Sequence, residues 1–143
     1  MQLATIGYEQ TTQPQLIDKL EAAGVKVLID VRAVAASRRA GFSKTLLAAS
    51  LEERGIEYVH LRALGTPKAG RDAARAGRTA EMRAIYAQQL ETPEAQVELA
   101  RAAAIASEKK AVLLCLEADP NCCHRAIVAE RLHEMSGFEV ENL

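Results

Sequence analysis

A chain of 143 residues that is 49% hydrophobic and 26% charged has the length and apolar share of one globular domain, which excludes a disordered segment. Its formal net charge of −1 excludes a whole-chain attraction to nucleic acid or an anionic membrane. Three cysteines and no tryptophan exclude a spaced disulfide framework and leave an aliphatic core.

The first residues, MQLATIGYEQ, lack a basic and an apolar leader region, and no segment approaches the roughly 18 uninterrupted apolar residues of a membrane span. The expected setting is a reducing cytoplasm, with no membrane partner. LATIGY (3–8) reads as a short first strand. Residues 11–24 read as a helix, with Thr12 as cap, Pro14 in the first turn, Gln15 three after the cap and Gly24 as the stop. VKVLIDVR (25–32) is almost continuously apolar, as expected of a strand buried on both faces. A second helix follows over 43–55, capped by Ser43 and stopped by Gly55, and then a third strand over 56–61.

Residues 64–80 contain Gly65, Pro67, Gly70 and Gly77 and read as a long loop with a helical turn at 71–76. Loops of that length inside a small domain are often functional. Two helices are predicted over 79–91 and 93–107, then a fourth buried strand over 111–117. A last helix over 120–135 and a short fifth strand over 138–143 complete the chain.

Strands alternating with helices, with the strands nearly all apolar, predict a single α/β domain over residues 1–143 with three layers. The expected core is a mostly parallel sheet of about five strands, Rossmann-like, with helices on both faces. Right-handed crossovers favour the strand order 3-2-1-4-5. Strands 1 and 4 would then flank the point where ligands bind, beyond the strand C-termini.

That edge gathers Gly7 and Tyr8, Asp30 and Arg32, His60 and Arg62, and Cys115 and Glu117. Asp30 and Arg32, two apart, point to the same face of the sheet. They can pair with each other, or Asp30 can act as a base with Arg32 as an anion clamp. The stretch CLEADPNCCHR (115–125) concentrates further chemistry. Asp119 and Pro120 suit a helix start, which would put Cys122 and Cys123 in the first turn, where the helix dipole lowers a thiol pKa. His124, Val128, Leu132 and Met135 fall on one helical stripe, so His124 is expected to face inward. Arg125 is expected at the rim of the cleft.

No metal is assigned. The ligand types are present, but C-x6-C-C-H is not a usual zinc spacing, and adjacent cysteines on a helix diverge by about 100°. A phosphatase or sulfurtransferase loop is absent as such, because Asn121 stands where its Arg would be needed. Inert buried sulfur is the bland alternative to a functional thiol. Arg32, Arg38 and Arg39 follow the second strand, and Lys68, Arg71, Arg75 and Arg78 follow the third. Such a rim is either a solvated basic surface or a site for a phosphate-bearing ligand, with Tyr8 and Phe42 available to stack a base.

TIGY, VLIDVR, Ser37–Arg38, GIEYVHLRALGTPKAGR and LLCLEADPNCCHR together resemble the DUF488 family from Thr5 to about Leu132. The most specific element is Cys115, Glu117, Cys123, His124 and Arg125. The resemblance implies a small bacterial or archaeal α/β domain and hands over no reaction. Family members usually have His at the position of Tyr8 and often Pro in the loop that here reads AVAAS. Cys122 is not part of the pattern.

The residues thus point to binding or turnover of a small anionic ligand, phosphorylated or nucleotide-like, at the strand C-terminal edge. The expected catalytic set is Asp30, Cys115, Glu117, Cys123 and His124. The expected binding set is Gly7, Tyr8, Arg32, Ser37, Arg38 and Arg125. Two alternatives stand beside it: a non-catalytic nucleotide or nucleic-acid module, and a Cys/His metal or redox sensor. The cofactor is left unknown, catalysis is left undecided, and a second copy could pair through the Ala-rich helices 79–107.

Overall fold

The computed structural model describes residues 1–117 and 124–143. Five strands, β1 (Gln2–Gly7), β2 (Val27–Asp30), β3 (Glu57–His60), β4 (Ala111–Cys115) and β5 (Glu139–Asn142), form one all-parallel sheet in the order β3-β2-β4-β1-β5. The helices are α1 (Gln13–Ala22), α2 (Lys44–Glu53), α3 (Lys68–Arg75), α4 (Thr79–Leu90), α5 (Pro93–Glu108) and α6 (Arg125–Ser136), and a 3-10 turn covers Arg62–Leu64.

The two faces of the sheet are packed separately. Leu16, Ile17 and Leu20 of α1 and Leu47 and Leu51 of α2 cover Ala4, Ile6, Leu28, Val112 and Leu114. On the other face, side chains of α3 to α6, among them Met82, Tyr86, Leu99 and Leu132, cover Leu3, Ile29, Val31 and Leu113. The chain steps one way across the sheet from β1 to β3 and returns through β4 to β5. Right-handed crossovers place the helices of opposite travel on opposite faces. The Ala-rich part of α5 serves this packing: Ala95, Ala102, Ala103 and Ala106 are buried within the chain.

The sheet is of the expected kind, but its order differs from 3-2-1-4-5. β4 lies between β1 and β2. Its five residues AVLLC are buried on both faces, which suits the centre of the sheet. β1 instead carries Thr5, whose hydroxyl donates to Asn142 Oδ1 of β5 at 2.5 Å. β1 and β4 are neighbours, as expected, and the correction adds β2 on the far side of β4. The register pairs Gly7 with Cys115 and Asp30 with Leu114, so three strands end level.

Local differences have local causes. Thr12 and Gln15 form the expected capping box of α1. Ser43 precedes α2 without capping it, because its hydroxyl accepts from Ser37 N and donates to Ser37 O. Most of the predicted loop 64–80 is structured as the 3-10 turn and α3. Gly70 does not break α3, since it is tightly packed between neighbours: a Cβ there would lie 2.5 Å from Thr66 Cγ2 and 3.3 Å from Ile85 Cγ2. Gly65 is needed for an even closer approach, because a Cβ would fall 2.1 Å from Ala33 N. In α6, His124, Val128 and Leu132 face inward, but Met135 is 53% exposed. That stripe ends one turn early because Gly137, at φ 72°, closes the helix and redirects the chain into β5. The expected cap Asp119–Pro120 and the thiols Cys122 and Cys123 lie outside the described residues.

Candidate functional site

A cavity of about 500 Å³ opens at the C-terminal ends of β1, β2 and β4. Tyr8, Arg32, Cys115, Glu117 and His124 line it from the strand ends and the start of α6, and Thr66, Arg71, Arg75 and Met82 line it from the other side. Ala33, Val34, Ala36, Ala74 and Leu116 make much of its wall apolar.

Asp30 and Arg32 form the foundation. Asp30 is fully buried and accepts from Arg32 N, Nε and Nη2 at 2.7–3.1 Å and from the Tyr58 hydroxyl at 2.5 Å. Arg32 also donates through Nη1 to Phe42 O at 2.7 Å and to the Tyr8 hydroxyl at 3.3 Å. Burial alone would lower the Arg32 pKa, but the hydrogen bond and charge of Asp30, with Tyr8, raise it on balance. Burial and the bond to Asp30 push the Tyr58 hydroxyl well above the usual tyrosine range. His60 donates from Nε2 to Arg32 O at 2.7 Å, because a carbonyl can only accept. Of the two expected arrangements, the structure therefore has the pair. A buried, saturated pair of this kind fixes geometry, and Arg32 has little capacity left for a ligand.

Tyr8 stacks on Phe42 with ring centroids 4.5 Å apart, and the Arg32 guanidinium lies 5.3 Å from the Tyr8 centroid. The two rings thus use their faces on each other and on Arg32.

Above this layer sits Cys115. Its sulfur is disulfide-bonded, 3.6 Å from His124 Nδ1 and 3.1 Å from Glu117 Oε2. A disulfide sulfur has no proton to give, so the Glu117 contact is a hydrogen bond only when the carboxyl carries the proton. Burial pushes Glu117 in that direction, and the charge of Glu9 adds to it, while Arg125 and Arg75 oppose it. His124 Nε2 lies 2.6 Å from Val31 O. That carbonyl fixes the proton on Nε2 and leaves Nδ1 as the lone-pair nitrogen facing the sulfur. Burial, with help from the Arg125 charge, lowers the His124 pKa to about 4, so the ring is neutral at ordinary pH. Tyr86 holds it edge-on at 5.2 Å while its own hydroxyl donates to Leu64 O.

Arg125 does not reach the rim. It is 1% exposed and donates to the Glu117 carbonyl, so it supports the turn after β4. Gly7 ends β1 opposite Cys115. Ser37 and Arg38 stand away from the cavity, with Ser37 tied to Ser43 and Arg39. Cys123 lies outside the described residues. Among the described residues, no three His, Cys, Asp or Glu are placed to hold a metal ion, and no helix is long and apolar enough to cross a membrane.

Among the described residues that line the cavity, Arg71 and Arg75 are cations outside the Asp30 pair; they were noticed in the sequence as loop residues but not assigned to the site. They sit four apart on α3 and so share a face. Arg71 spends one N–H on Thr66 O at 2.9 Å. Arg75 is 77% exposed and only loosely paired with Asp72 at 3.6 Å. Reading 68–75 as a helix would have revealed their common face.

The family profile described as Domain of unknown function DUF488 matches residues 12–132. The chain belongs to the DUF488 family. No curated protein and no solved structure matches the chain. Within this DUF488 domain, the matched region holds every residue of the cavity except Tyr8.

Proposed function

We propose that this DUF488 protein binds a small anionic ligand, phosphorylated or nucleotide-like, in the cavity beyond β1, β2 and β4. The observation that carries this reading is the pair Arg71 and Arg75, both facing a cavity of about 500 Å³. Guanidinium groups match the geometry of phosphate oxygens, and a recess with low-dielectric walls strengthens the attraction. The apolar wall from Ala33 to Ala36 gives room for the uncharged part of the ligand. Cys115, His124 and Glu117 lie within reach of that ligand, so turnover at the same place is part of the proposal. A ligand-bearing recess is favoured over a nucleic-acid surface because Tyr8 and Phe42 are buried and stack on each other, and so are not exposed to stack a base.

The test is thermal unfolding with inorganic phosphate, pyrophosphate and a nucleoside monophosphate. A ligand at a hundredfold its Kd adds about 3 kcal/mol of stability. At least one of these probes is expected to raise the Tm by several degrees, and the double variant Arg71→Ala/Arg75→Ala is expected to lose the rise. No shift with any probe at millimolar concentration, or an equal shift in the double variant, contradicts the reading.

A further inference from the structure

Cys115 combines four properties, of which inert core sulfur needs none and a structural bridge only the first. Its sulfur is held in a disulfide. It lines an open cavity. It faces the lone pair of a neutral imidazole whose tautomer is fixed from behind. Two guanidinium groups stand across the same cavity.

We propose that Cys115 is a redox-cycling nucleophile that exchanges with a small disulfide bearing negative charge, with His124 Nδ1 taking and returning the proton. The choice of an anionic substrate rests on the anionic-ligand reading above; the thiol chemistry does not.

The cycle balances without a cofactor. Two equivalents of an external thiol reduce the protein disulfide and leave as their own disulfide. The Cys115 thiol then passes its proton to His124 Nδ1 as its sulfur attacks the bound R–S–S–R. A Cys115–S–S–R bond forms, the R–S bond partner leaves as a thiolate, and His124 returns the proton to give RSH. Two external thiols attack the mixed disulfide in turn, release the second RSH and leave as their own disulfide, which frees the Cys115 thiol. Two electrons move from the external thiols to the substrate, and none are left over.

His124 is suited to this step. Its ring cannot rotate away while Val31 O holds Nε2 and Tyr86 packs its edge. A neutral, buried imidazole accepts a proton only transiently, which favours a shuttle over a standing thiolate–imidazolium pair.

The experiment uses the whole chain with Cys122→Ser/Cys123→Ser, which leaves Cys115 as its sole cysteine and traps the mixed disulfide for intact mass spectrometry. The probes are oxidised glutathione (anionic), hydroxyethyl disulfide (neutral) and cystamine (cationic), each rate divided by that of free cysteine. Reduced wild-type protein, read by loss of free thiol, gives the same comparison should the double variant fold poorly. The expected relative rates fall from anionic to neutral to cationic, by tenfold or more between the extremes. Arg71→Ala/Arg75→Ala should level this order. His124→Gln should slow all three about equally. Modification no faster than free cysteine with every probe overturns the inference, whatever the phosphate titration shows. Fast modification with no charge order overturns the anionic substrate class, and counts against the anionic-ligand reading while leaving the nucleophile in place.

Discussion

At the scale of single residues, His124 couples the site to stability. Its folded pKa of about 4 lies below the ordinary value of 6.5 because the ring is buried. Between those two values the unfolded chain binds more protons than the folded one, so stability rises with pH across that window and is lost on acidification through it. The difference corresponds to about 3 kcal/mol. Unfolding free energies from urea titrations, measured from pH 7 down to pH 4, are expected to fall by an amount of that order, and His124→Gln should flatten most of the decline. An unchanged slope in that variant would contradict the burial of a neutral ring. Much at this scale was legible beforehand. The inward phase of His124 followed from helical spacing, whereas a shared strand face left the Asp30–Arg32 pair as one of two arrangements. Arg125 was not legible: its neighbour on the helix faces inward, yet its own long side chain turns back to the Glu117 carbonyl. A rotamer choice of that kind leaves no trace in periodicity.

At the scale of elements, α3 decides whether the cavity has a charged wall. Gly65 and Gly70 read as breakers in the sequence because glycine is costly inside a helix. Here both serve close approach instead. Gly65 lets the turn after β3 touch the backbone at Ala33, and Gly70 seats α3 against Thr66 and Ile85 of α4. Gly70→Ala therefore inserts a methyl group where about 1 Å is lacking, and overpacking of this sort costs about 1–3 kcal/mol. The displaced helix also carries Arg71 and Arg75. The expected outcome is a lower Tm together with a weaker phosphate-induced Tm shift. Gly77→Ala is the control. Its φ of 77° strains any side chain, but a Cβ there meets nothing within 4 Å, so stability should fall while the shift survives. Equal loss of the shift in both variants would show that α3 packing does not position the arginines.

At the scale of the whole molecule, the alternation of apolar strands and capped helices specified a parallel sheet covered on both faces, and the structure has one. What periodicity could not order was β1 against β4, since both read as buried strands. The deciding contacts are between distant segments, Thr5 with Asn142 and the double-sided burial of AVLLC. That exchange matters for function. With β4 in the middle, the ends of β1 and β2 both border Cys115, and the two crossover directions diverge on either side of it. Such a divergence leaves a crevice for ligand. The account therefore places one binding site, at one edge of one sheet. The direct test is to titrate isotope-labelled protein with pyrophosphate and follow backbone amide shifts by NMR. The account predicts saturable changes at Tyr8, Arg32 to Ala36, Thr66 to Arg75 and Cys115 to Glu117, with β5 and α1 unmoved. Changes centred on Arg38 and Arg39, or spread over every basic surface residue without saturation, would contradict it.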